Sequence, residues 1–74
     1  MKEEILSIVN AIREEKGLNK LQSLKETDSL RDDIGFTSFD LAELTVRIED
    51  EFDIDIFEDG LISTVGEIYN KLGK

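Results

Sequence analysis

Three stretches of the sequence repeat their apolar residues at the spacing of an α-helix, and nothing in the chain offers a pair of strands. Ile5, Ile8, Val9 and Ile12 fall at i, i+3, i+4 and i+7, with charges on the other face. Gly17, just after the basic Lys16, predicts the stop of this first helix. Leu41, Leu44, Ile48 and Phe52 form the core stripe of a second helix, expected from about Ser38 to Glu51. Thr37 is its N-cap, and Asp40 takes the capping-box place where Glu or Gln is preferred. Val65, Ile68, Tyr69 and Leu72 mark the last helix, capped by Ser63 or Thr64 and opened by the box Thr64-Val65-Gly66-Glu67.

Two connections remain. Phe52 to Phe57 alternates as a strand would, but with no partner strand it reads as a connector, with one helical turn around Glu58 to Leu61. From Leu18 to Thr37 the apolar residues lose helical period. A loop of that length is uncommon in a compact domain unless it is functional, and Leu18, Leu21, Leu24, Leu30 and Ile34 are expected to pin it to the core. The expected fold is all-α: a small four-helix bundle with a long loop between the first and second helices, one domain over residues 1–74.

With 74 residues and no cysteine, the chain must hold together on a core alone. A chain this short buries only roughly 60% of its unfolded surface, so stability is expected to be modest. The lack of cysteine also removes a thiol nucleophile and a zinc-thiolate site, and the lack of histidine removes the usual general base. The formal charge of -9 disfavours nucleic acid and anionic lipid and favours partners with basic surfaces. It also strains the compact state, so salt or divalent cations should stabilise the fold. Met1-Lys2-Glu3-Glu4 leads into an amphipathic pattern and not into a signal sequence, and no run approaches the ~20 apolar residues of a membrane span. The expectation is a soluble cytoplasmic monomer.

The second helix carries a further stripe. Phe39 and Val46 fall roughly opposite the core face, interleaved with Glu43 and Asp50 and flanked by Asp40 and Arg47. Apolar residues ringed by charge suit a transient interface, with anchors inside and steering charges around them. The plainer reading folds Phe39 back under the long loop as a satellite of the core.

The segment Asp33-Ile34-Gly35-Phe36-Thr37-Ser38-Phe39-Asp40-Leu41-Ala42-Glu43-Leu44 resembles the attachment motif of the acyl carrier proteins, Asp-Leu-Gly-x-Asp-Ser-Leu followed by an acidic helix. The resemblance continues through Ile48-Glu49-Asp50-Glu51-Phe52 and Ile56 and resumes at Ile62-Ser63-Thr64-Val65, so it spans the chain in order. It implies an acyl-carrier-like bundle with 4′-phosphopantetheine joined to Ser38 through a phosphodiester. A separate phosphopantetheinyl transferase adds the group from coenzyme A. The terminal thiol then carries an acyl or aminoacyl group as a thioester. A helix N-terminus suits the phosphate on physical grounds as well. The resemblance also implies docking to basic patches on loading and transferring enzymes through Phe39, Asp40, Glu43, Val46, Glu49 and Asp50.

Read without the family, Ser38 is a helix-capping serine. Asp28-Ser29-Leu30 repeats the motif's tripeptide literally, but no helix follows it, and Leu30 reads as a loop anchor. Thr37 replaces the family's usual aspartate and Phe39 its leucine. Arg47 adds a positive charge to a helix normally acidic or neutral there. Phe57 stands where proline is common, and the connector before Ile62 is about two residues short of the family's. These departures point as much to a specialised pathway (a polyketide, a modified saccharide, an activated amino acid) as to fatty-acid synthesis.

Other readings fit less well. Asp50, Asp53, Asp55, Glu58 and Asp59 bring carboxylates together without the fixed spacing and glycine of an EF-hand. An enzyme would need a cleft that so small a bundle has little room for. The competing function is a cofactor-free acidic helical module, an adaptor or inhibitor using the same face of the second helix.

Overall fold

The computed structural model describes residues 1–58 and 60–73. Three helices are present among the described residues: α1 Lys2–Glu15, α2 Ser38–Phe52 and α3 Val65–Gly73. Each forms where the periodicity predicts and buries the predicted face: Ile5, Val9 and Ile12 from α1, Leu41, Leu44 and Ile48 from α2, Val65, Ile68 and Tyr69 from α3. Ile8, Phe52 and Leu72 pack against this core half-buried.

The helix ends follow local chemistry. After α1 the Leu18 amide donates to Arg13 O (2.9 Å) and the Gly17 amide to Glu14 O (3.0 Å). That is the Schellman pattern. It places Gly17 at φ 82, a conformation glycine adopts without the steric cost a Cβ would bring. α2 ends at Asp53 in the left-handed region (φ 60), where a short polar side chain is tolerated.

The connection from Lys16 to Thr37 contains no helix, yet it is held at several points. Leu30, Ile34 and Phe36 are buried, Leu21 and Leu24 pack half-buried, and Leu18 stays exposed. The side chain of Asn10, buried on α1, pairs with both the amide and the carbonyl of Leu21 (2.8 and 3.0 Å). Arg13 donates to Asn19 O and Ile34 O, drawing two distant points of the connection onto α1. At its far side the connection meets the start of α3. Leu30 N donates to Ser63 O, Val65 N to Asp28 O and Gly66 N to Glu26 O, at 2.8 to 3.0 Å, around the isolated bridge between Ser29 and Thr64.

The fourth helix expected near Glu58 to Leu61 is not seen among the described residues, and Asp59 lies outside them. In its place are turns. Asp55 accepts from the Phe57 amide with its side chain and from the Glu58 amide with its carbonyl, and the Gly60 amide donates to Phe57 O. Gly60 then takes φ 130, which only glycine adopts readily, and the chain leaves the helical path. Ile56 and Ile62 anchor this connector in the core. No helix among the described residues is long and apolar enough to cross a membrane.

Candidate functional site

The N-terminus of α2 is built by its capping box. Thr37 has extended backbone (φ -88, ψ 178), and its Oγ1 accepts from the Asp40 amide (3.3 Å). Asp40 Oδ2 in return accepts from the Thr37 amide (2.8 Å) and hydroxyl (3.0 Å). Aspartate is one methylene shorter than glutamate, and it still closes the box. Its carboxylate also meets Lys16 Nζ at 2.7 Å, with its side chain only 13% exposed. Burial pushes the Asp40 carboxyl up, but Lys16 and Thr37 together outweigh that and hold it below its ordinary value.

Since Thr37 does the capping, Ser38 is left as the first helical residue with its side chain in solvent. The plain capping role therefore belongs to its neighbour. Ser38 Oγ accepts one hydrogen bond, from Arg31 Nη2 at 2.8 Å. Arg31 comes from the turn Leu30–Asp33, which Ser29 organises: Ser29 Oγ accepts from the Asp32 amide, Ser29 O from the Asp33 and Ile34 amides, and the Ser29 amide donates to Asp33 Oδ2. Ser29 is half-buried and fully engaged in shaping this turn, whereas Ser38 is exposed. An exposed hydroxyl at a helix N-terminus, with a guanidinium beside it, is chemically suited to an esterified phosphate.

A pocket of about 380 Å³ adjoins this turn. Arg31, Leu41, Leu61 and Ile62 are among the residues that line it. Leu61 is 89% exposed. Sequence reading singled out neither Leu61 nor Arg31 as a site residue. A leucine next to a turn glycine and outside any helical period was the available signal for the first, and a cation in the polar turn before the motif was the signal for the second.

The other candidates on α2 divide into two groups. Phe39 is 88% and Val46 64% exposed, so Phe39 is not tucked under the long loop. Glu49 and Asp50 are exposed and border one shallow groove together with Val46. Asp40 and Glu43, by contrast, are held by cations. Arg47 grips Glu43 Oε2 with Nε (2.9 Å) and Nη2 (2.7 Å) and reaches Glu15 on α1 at 2.9 Å. Among the described residues no three carboxylates gather into a metal-binding group, and Asp59 lies outside that description.

The comparisons with known proteins agree with this geometry. The family profile described as "Phosphopantetheine attachment site" matches residues 6–72. An acyl carrier protein of Thermotoga maritima is 40% identical over 76 residues, covering 99% of this chain and 93% of that protein. No solved structure matches. With the profile running from within α1 to within α3 and the relative covering nearly the whole length, the chain belongs to the acyl carrier proteins, non-catalytic carriers that hold acyl groups on covalently bound 4′-phosphopantetheine.

Proposed function

We propose that Ser38 is the residue that takes the 4′-phosphopantetheine arm. We further propose that the chain, acting as a single monomeric domain over residues 1–74 in the cytoplasm, delivers acyl or aminoacyl groups to enzymes with basic docking patches. The observation that carries this is the exposed Ser38 hydroxyl, relieved of capping by Thr37 and set beside the Arg31 guanidinium at the start of α2. When bound, the arm supplies the thiol that this cysteine-free chain lacks. Thr37 and Asp40 fix where Ser38 stands, and the N-terminal amides of α2 and the Arg31 guanidinium are the groups that would hold the phosphate there.

In this reading the buried Ile56 and the turns around it stand for the short fourth helix of a carrier bundle. Phe39 and Val46 are the apolar anchors for partner enzymes, with Glu49 and Asp50 as the free steering charges and Asp40 and Glu43 as paired ones. Arg47, tied to Glu15 and Glu43, lowers the negative charge of the docking helix and supports a dedicated carrier of a specialised pathway.

The test is intact mass after incubation with coenzyme A, magnesium and a phosphopantetheinyl transferase. Wild type and Ser29→Ala are expected to gain one phosphopantetheine, and Ser38→Ala none. A folded wild type that gains nothing from a cognate transferase overturns the assignment and favours a cofactor-free adaptor.

A further inference from the structure

We propose that Arg31 is the positioning residue for the phosphodiester: its guanidinium, carried on the turn before α2, pairs with the phosphate and fixes where the arm leaves the protein. This rests on Ser38 being the attachment residue. The difficulty it resolves is electrostatic. A chain of formal charge -9 gains a further anion at a place flanked in sequence by Asp32, Asp33 and Asp40. Two of those carboxylates are turned to other work. Asp33 accepts from the Ser29 amide (2.7 Å), and Asp40 is engaged by Lys16 and Thr37.

Arg31 supplies the positive charge that remains. Its Nη2 already donates to Ser38 Oγ at 2.8 Å, the oxygen that becomes the ester oxygen. It makes no ion pair among the described residues and is exposed. A guanidinium has five N–H donors in a planar fork, so several remain for the phosphate oxygens two bonds beyond Oγ. The turn that carries it is held in place by buried Leu30 and Ile34 and by the Ser29 hydrogen bonds. Little backbone order therefore has to be gained when the phosphate arrives.

The experiment compares apo and loaded forms of wild type, Arg31→Gln and Arg31→Lys, each verified by mass. For wild type and Arg31→Gln, the changes in Tm on loading should differ by about 2–4 °C at low salt, with Arg31→Lys between them. The gap should close in 1 M salt, where the screening length is about 3 Å. The phosphorus resonance of the loaded protein should move between wild type and Arg31→Gln, and Arg31→Lys should restore it only partly. Equal responses of wild type and Arg31→Gln to loading, in melting and in the phosphorus spectrum, overturn the role of Arg31. So does a substitution cost that is the same in apo and loaded protein, since that marks a merely structural residue. Absence of any mass increment on wild type instead removes the Ser38 assignment, and the inference with it.

Discussion

Lys16, one residue beyond α1, sets its Nζ 2.7 Å from Asp40 Oδ2 in the first turn of α2. The two side chains are 28% and 13% exposed, so this is a shielded, charge-assisted contact and not an open surface pair. Lys16→Met should cost about 1–2 kcal/mol, read as a drop of several degrees in the apo melting temperature. Thr37→Ala, which removes the hydroxyl that caps α2 and also bonds Asp40, should cost about 1 kcal/mol. Because both substitutions act on one carboxylate, the double variant should lose less than the sum.

Acid should weaken the fold through two carboxyls. Asp40 is held below its ordinary 3.8 against the upward push of burial, by Lys16 and Thr37. Glu67 is held below its ordinary 4.5, first by the Ser63 amide and then by the Thr64 amide. A carboxyl lowered in the folded state adds stability that is complete above its unfolded value and disappears as pH falls through the folded one. Urea midpoints of wild type should therefore fall as pH drops below about 4.5, in enough salt to screen the general repulsion. The advantage of wild type over Asp40→Asn/Glu67→Gln should shrink over the same range. A constant gap down to strong acid would contradict this.

Asn10 is buried on a helix and serves the connection instead of α1. Asn10→Ala removes two hydrogen bonds to Leu21 and should cost about 2 kcal/mol. Hydrogen exchange locates the effect: the Leu21 amide should lose its protection first, while α2 amides keep theirs.

On α2, paired and free charges should behave differently. Glu43→Lys sets a cation against Arg47, breaks its link to Glu43 and should lower the melting temperature. Glu49→Lys/Asp50→Lys should leave melting nearly unchanged while slowing transfer to partner enzymes, most of all at low salt. Phe39→Ala and Val46→Ala should raise KM for those enzymes without destabilising the chain, since both side chains are already in water.

Gly66 stands in the first turn of α3 for lack of room. A Cβ there would lie 3.0 Å from Glu26 O and 3.2 Å from Glu26 Cβ. Gly66→Ala should therefore destabilise by about 1–2 kcal/mol despite alanine's better helix propensity, as thermal melts would show.

How legible the fold was depended on distance along the chain. The helices, the stop at Gly17 and the box at Thr37 and Asp40 rest on residues within one or two turns of each other, so spacing alone exposed them. What escaped depends on chain segments meeting. Lys16 reaches Asp40 and Glu15 reaches Arg47 only once α1 and α2 pack, and Arg31 reaches Ser38 only once the Leu30–Asp33 turn folds back on the start of α2. Asn10 reads as one more polar position until the loop crosses it. The helical turn expected near Glu58 is replaced for a local reason written in the sequence: Asp55 competes for the first amides and Gly60 turns the chain away.

The pairing of residues 26–30 with the opening of α3 uses main-chain groups: Leu30 with Ser63, Val65 with Asp28, Gly66 with Glu26. Such stitching is largely blind to which side chains its residues carry. Glu26 and Thr27 are thus the residues of this stretch freest to change, while Asp28, Ser29 and Leu30 keep side-chain roles and the turn that displays Arg31 keeps its place. Those two positions can change in sequence without rebuilding the frame around Ser38. That latitude narrows at Gly66, where a Cβ would press on Glu26 at 3.0 Å and the backbone would have to give way.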